Sequence, residues 1–154
     1  MKIADTLSKA LILPSLAAKN KIDCLMEFAH AISKDHPELQ KDEVANILME
    51  REKLGSTGIQ DGIAIPHGKF KGLEHTLILF ARSLDGIDFQ AFDSQPTQLF
   101  FVLLAPENAT TEHLKLLARL SRLLKNIKLR EKLLKANDAQ ALYQILCEED
   151  EKLV

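Results

Sequence analysis

Histidine is the residue type with the most chemistry on offer in this chain, and two of its five copies stand in unusual settings. His67 lies in Pro66-His67-Gly68, at the end of the apolar run Ile63-Ala-Ile65. Proline fixes the backbone just before the ring and glycine leaves the space after it open, so the imidazole is presented rigidly. The end of a sheet strand is where α/β proteins place their sites. His113 follows Asn108-Ala-Thr-Thr111, where Thr110 or Thr111 is the expected N-cap of a helix, with the ring in its first turn. The macrodipole there disfavours imidazolium and leaves a neutral ring that donates one hydrogen bond. Unpaired N–H groups at a helix start also receive anions, so a second histidine there suits phosphate carried on or near the first. The residues alone leave simpler roles open: a plain turn at His67, a cap or a solvent-facing ring at His113. His30 and His36 fall at the edge and end of a helix and read as solvated or capping residues, and His75 sits in a polar connection.

Other chemistries lack their residues. Gly55-x-x-Gly58-x-x-x-Gly62 matches neither the dinucleotide fingerprint nor the P-loop. His67 and His75 lack the further ligands of a zinc site, and no metal is expected. Cys24 and Cys147 lie far apart inside helical patterns and read as free buried thiols of a reducing compartment. There is no Gly-x-Ser-x-Gly elbow. In a cytoplasmic chain the sequon Asn108-Ala-Thr110 is a coincidence. Residues 115–135 hold eight basic side chains against Glu131, a local balance of 8 − 1 = +7. No aromatic residue interleaves them as base stacking needs, so they read as solvated helix faces and nucleic-acid binding is not expected. The acidic run Glu148-Glu-Asp-Glu151 reads as a fraying tail.

These residues need a frame. The 154 residues are 46% hydrophobic and 27% charged, with net charge −2, which fits one globular domain over 1–154 and gives no global attraction for nucleic acid or anionic lipid. The N-terminal segment is interrupted by Asp5 and Ser8, so it makes no signal peptide. The longest uncharged stretch, 94–106, is well short of the roughly 18 apolar residues of a membrane span. A cytoplasmic protein without membrane insertion is expected.

Ile22, Leu25, Met26, Ala29 and Ile32 repeat at helical spacing after a capping Asn20, and His36-Pro37 ends that helix. A second helix starts near Asp42, carries Val44, Ile47 and Leu48 on one side, runs through Arg51 and stops at Gly55. Turn chemistry at Gly55-Ser-Thr-Gly58 and Asp61-Gly62 surrounds short β-branched pieces. Residues 76–81 and 99–104 read as buried strands, with Ile87, Phe89 and, less cleanly, Phe92 in a half-buried strand or turn between them. Helices return after Thr111, after Asn126 and after Asp138. Helices around a central run of strands make the class α/β.

The blocks Arg51-Glu-Lys-Leu-Gly-Ser-Thr-Gly58 and Gly62-Ile-Ala-Ile-Pro-His-Gly-Lys69 resemble the active-site signature of the fructose/mannitol-type (type-2) enzyme IIA domains of the bacterial phosphotransferase system. Within that group the nitrogen-regulatory branch is the most similar. The resemblance continues through Phe92-Asp-Ser-Gln-Pro96, Leu103-Leu-Ala-Pro106 and His113-Leu-Lys-Leu-Leu-Ala-Arg-Leu-Ser121, so it covers nearly the whole chain. It implies a mixed β-sheet flanked by helices on both faces. It implies that His67 accepts a phosphoryl group from a phosphohistidine on an HPr-type carrier, that His113 hydrogen-bonds the phosphoryl oxygens, and that Arg51 helps hold the charge. Ser56, Thr57 and Gly58 would line the phosphate pocket beside Pro66 and Gly68. Gln60-Asp61 departs from the smaller or more varied loop residues expected there, which bears on partner docking.

Such a scheme asks for positioning and charge stabilisation and needs no metal or nucleotide cofactor. Sugar-specific relatives pass the phosphoryl group to a cysteine on a IIB domain. One domain here, with neither Cys24 nor Cys147 in a recognisable IIB loop, favours a regulator that binds target proteins according to its phosphorylation state. The alternatives are a fructose/mannitol transport component serving a separate IIB, and a binding module that is never phosphorylated.

Overall fold

In chain order, the computed structural model describes residues 2–153: a short 3-10 turn at Ile3–Asp5, β1 (Leu7–Leu13), α1 (Lys21–Asp35), α2 (Lys41–Lys53), β2 (Ile63–Ala64), β3 (His67–Phe70), β4 (Leu77–Ile87), β5 (Thr97–Pro106), α3 (Thr110–Leu124), α4 (Ile127–Lys135) and α5 (Ala139–Lys152). β4 and β5 pair antiparallel at the centre, β1 lies parallel to β4, and β2 and β3 follow each other along the far edge of β5, both parallel to it.

The near-continuous apolar run of β5 is the signature of a strand buried on both faces. Phe100, Val102 and Leu104 enter the layer beneath α1 and α2, built with Phe28, Ile32, Val44 and Leu48. Leu99, Phe101 and Leu103 enter the opposite layer, with Leu116, Leu120, Leu133 and Leu146 from α3, α4 and α5. The expected fold class, a mixed sheet with helices on both faces, is the observed one. Phe100 is fully buried, with its ring centroid 5.5 Å from Phe28 and 5.3 Å from Phe89. Phe100→Ala should therefore cost about 3–5 kcal/mol, read as a lowered midpoint in urea unfolding. A loss below 1 kcal/mol would mean the site refills.

The ends of the elements follow local chemistry. Asn20 caps α1 by accepting the Asp23 N–H at 2.9 Å, as its position predicts. His36 stands at the C-cap of α1 between Asp35 and Glu38. Asp61 and Gly62 both take positive φ in a tight turn that folds 57–59 back on 63–65, with Ile59 donating to Ile63 and Ile65 donating to Thr57.

Several expectations need correcting. β1 was not expected as a strand; its register with β4 shifts between Leu7 and Ile12, which spoils the two-residue alternation. β4 runs well past residue 81, because buried Arg82 finds carbonyl partners in Pro14, Leu133 and Ala136. Phe92 is 88% exposed rather than half-buried, while Ile87 and Phe89 are fully buried. The acidic end is no fraying tail: Asp150 is wholly buried in α5, pairs with Arg119 at 2.7 Å and accepts the Ala4 N–H at 3.1 Å. Arg119 and Arg130 therefore leave the solvated basic face, Arg130 bonding the Leu124 carbonyl. Cys24 is buried, which pushes its thiol up, whereas Cys147 is half-buried; both are free. No helix among the described residues is long and apolar enough to cross a membrane.

Candidate active site

Pro66 and Gly68 place His67 by different means. The Pro66 carbonyl accepts the Leu103 N–H at 2.9 Å, which docks the start of β3 onto β5 with His67 opposite Leu103. A Cβ on Gly68 would stand 2.5 Å from Ile47 Cγ2, so only glycine lets the strand pass this close beneath α2. With Gly68 facing α2, strand alternation turns His67 toward α3. There its ring centroid lies 5.4 Å from that of His113, the planes inclined by 48°.

Both nitrogens of His67 are engaged. Nδ1 lies 2.8 Å from the Ile65 carbonyl, and since a carbonyl can only accept, Nδ1 carries the ring proton. Nε2 is then the lone-pair nitrogen, and it accepts from Arg51 Nε at 3.3 Å. Arg51 comes from the last turn of α2 and is braced by donating Nη1–H to the Gly55 carbonyl at 2.9 Å. This is a neutral imidazole in a fixed tautomer with its nucleophilic nitrogen facing a cation.

His113 is 5% exposed, and its Nδ1 is buried without a hydrogen-bond partner among the described residues. The expected threonine cap is absent. Ala109 is the N-cap and has no side-chain group to bond with, while Thr110 is the first helical residue and its hydroxyl accepts the Lys69 ammonium at 2.5 Å. That contact ties β3 to the start of α3.

Burial lowers the affinity of both rings for a proton. For His67 desolvation is the largest cause and Arg51 adds to it, against the Ile65 carbonyl and Glu52. For His113 desolvation leads, followed by His67 and Lys69. A lowered value keeps the ring neutral further into acid than the ordinary ~6.5. The stability it contributes is present above the unfolded value and is lost as pH falls through it toward the folded value. An NMR titration should give both histidines midpoints below ~6.5; midpoints above it would contradict the geometry.

The loop 55–58 closes the site from behind. Thr57 and Gly58 are buried, and the Thr57 carbonyl accepts the Ile65 N–H at 3.1 Å. The Ser56 hydroxyl donates to the Phe89 carbonyl and accepts the Gly58 N–H, so it builds the loop rather than facing His67. The structure thus brings Arg51, His67 and His113 together, sets Pro66 and Gly68 beside them, and uses Ser56, Thr57 and Gly58 as support. Exposed Leu54 and Phe92 flank this loop, the Phe92 N–H bonding the Gly58 carbonyl.

A family model for the phosphoenolpyruvate-dependent sugar phosphotransferase system, EIIA 2, matches residues 5–149. The chain belongs to this EIIA 2 family. A nitrogen regulatory protein of Bradyrhizobium diazoefficiens is 44% identical to it over 146 residues, covering 95% of both chains. The crystal structure of nitrogen regulatory protein IIA-Ntr from Neisseria meningitidis matches with a TM-score of 0.88 at 34% identity, over 94% of this chain and 98% of that one. The fructose-specific EIIABC component of Bacillus subtilis is 35% identical over 97% of this chain, which spans 24% of that protein's length.

Sequence reasoning about this EIIA chain missed three side chains at the site: Lys69, Glu52 and Lys21. Lys69 stands inside the quoted Pro-His-Gly-Lys block, so its place was visible though its contact with Thr110 was not. Glu52 and Lys21 form a 2.9 Å ion pair with side chains 5% and 15% exposed. In sequence they look like ordinary charged residues of helix ends.

Proposed function

We propose that this chain is a phosphoryl relay protein whose acceptor is Nε2 of His67, charged by an HPr-type phosphocarrier, and that it acts as a regulator in a nitrogen branch of the phosphotransferase system. The observation that carries this reading is the fixed tautomer of His67: Nδ1–H on the Ile65 carbonyl and Nε2 against Arg51. The Nε2 lone pair attacks phosphorus, the N–P bond of the donor phosphohistidine breaks, and the donor ring leaves with that electron pair. His67 keeps its Nδ1 proton, and the positive charge growing on its ring is met by the Ile65 carbonyl. Arg51 turns its N–H groups from the lone pair to the phosphoryl oxygens, a charge-assisted contact. His113, whose Nδ1 is buried without a partner among the described residues, supplies a second donor through Nε2–H. No metal or nucleotide enters these steps. Leu54 and Phe92 give the protein carrier an apolar rim to dock on.

Similarity over nearly the full length of nitrogen regulatory proteins supports the regulatory role. The 35% identity to a fructose-specific component supports a second reading, in which the phosphoryl group passes to a IIB component. The test is intact mass after incubation with phosphoenolpyruvate, enzyme I and an HPr-type carrier. An acid-labile gain of one phosphoryl group is expected, and no gain with several carriers would leave a binding module as the better account. Offering the product to fructose- and mannitol-type IIB domains separates the two roles, since a transport component discharges rapidly and a regulator keeps its phosphoryl group.

A further inference from the structure

Glu52 is the best-connected carboxylate near His67, though it touches neither ring. Its Oε1 accepts the Thr57 N–H at 3.0 Å and lies 2.9 Å from Lys21 Nζ, while its Oε2 accepts the Thr57 hydroxyl. Thr57 is the residue whose carbonyl takes the Ile65 N–H, and Ile65 is the residue whose carbonyl takes the His67 Nδ1–H. A continuous series of hydrogen bonds therefore runs from Glu52 through Thr57 and Ile65 to Nδ1. The other ring nitrogen refers to the same loop, because Arg51 reaches Nε2 while bonded to the Gly55 carbonyl. Lys21 anchors the series from the first turn of α1, lying 4.7 Å from the Phe89 ring centroid and within 3.4 Å of Ser56 Oγ and Gln90 Oε1.

We infer that Glu52, with Lys21 as its counter-ion, is a positioning residue that sets the tautomer of His67 and the reach of Arg51 by fixing the loop 55–58. The inference rests on His67 being the phosphoryl acceptor, but its structural half can be read without any phosphoryl donor. A carboxylate this buried persists only where cation and N–H partners compensate it, and here the N–H and hydroxyl belong to the loop while the cation comes from α1. Its negative charge also pulls the proton affinity of His67 upward, against burial and Arg51.

The experiment compares wild type with Glu52→Gln and Lys21→Met in two measurements. Long-range ¹H–¹⁵N NMR of the unphosphorylated protein reads the His67 tautomer and its titration midpoint. Phosphoryl uptake from an HPr-type carrier reads the rate. Wild type should show a single Nδ1–H form. Glu52→Gln should populate the other tautomer, lower the His67 midpoint and slow uptake roughly 10- to 100-fold, as small misplacements of reacting groups do. Lys21→Met should move the tautomer and the rate in the same direction by less, and it decides the matter should Glu52→Gln fail to fold. An unchanged tautomer and a rate within twofold of wild type in folded variants would overturn the inference, even with a lowered melting temperature. Wild type that takes up no phosphoryl group refutes the proposed function instead, and the tautomer comparison still decides the role of Glu52 in holding the ring.

Discussion

His67→Ala should abolish phosphoryl uptake from an HPr-type carrier while leaving the fold intact. The ring is half-buried at the first residue of β3, and its two hydrogen bonds, to Ile65 and Arg51, lie at the sheet edge. Neither apolar layer includes it, so its loss leaves both layers packed. The ladder that holds the strand, from His67↔Leu103 to Phe70↔Pro106, is made by backbone and survives the change. The effect on transfer should be total because the change removes the proposed acceptor atom itself, and His113, the neighbouring ring, has its Nδ1 buried. Uptake measured by mass should be undetectable in the variant, with far-UV circular dichroism and melting close to wild type. Residual acid-labile phosphoryl in His67→Ala would place the acceptor elsewhere.

Arg51→Met should slow uptake by roughly 10²–10³-fold, the range seen when one preorganised charge-stabilising donor is removed. Two changes act together. The transferring phosphoryl loses a guanidinium that can bind its oxygens with more than one N–H, and the Gly55 carbonyl loses its brace. Arg51→Lys recovers only part of the rate, since one point charge cannot hold the carbonyl and the phosphoryl group at once. The same substitution has a titration signature. Arg51 lowers the proton affinity of His67, so Arg51→Met moves the His67 midpoint upward and brings the acid loss of activity to higher pH. A rate within threefold of wild type would remove Arg51 from the chemistry.

The legible parts of this molecule were those in which one local rule acted alone. Asn20 before a helical repeat, Gly55 after one, and the unbroken apolar run of β5 were each readable from a few neighbours. Pro66-His67-Gly68 was readable because both flanking residues have a backbone reason to be there, and the close passage of Gly68 under Ile47 supplies it. Features that depend on distant partners were not. Asp150 looks like a fraying end until Arg119 and Ala4, remote in sequence, are seen to bind it. β1 hides behind a register shift, and Arg82 reads as a strand end because its three carbonyl partners lie on other segments. Thr110 qualifies as a cap by type, yet it is the first helical residue and its hydroxyl accepts from Lys69. Glu52 beside Arg51 reads as one more charge on a helix; only the folded loop shows what it holds.

The proposed transfer turns on one atom, Nε2 of His67. The most direct measurement is a long-range ¹H–¹⁵N spectrum of the ¹⁵N-labelled protein before and after phosphorylation by an HPr-type carrier. A protonated Nδ1 and a bare Nε2 are expected before, with the phosphoryl group on Nε2 and the Nδ1 proton retained after. A phosphoryl group on Nδ1 of His67, or on any other residue, would contradict the account.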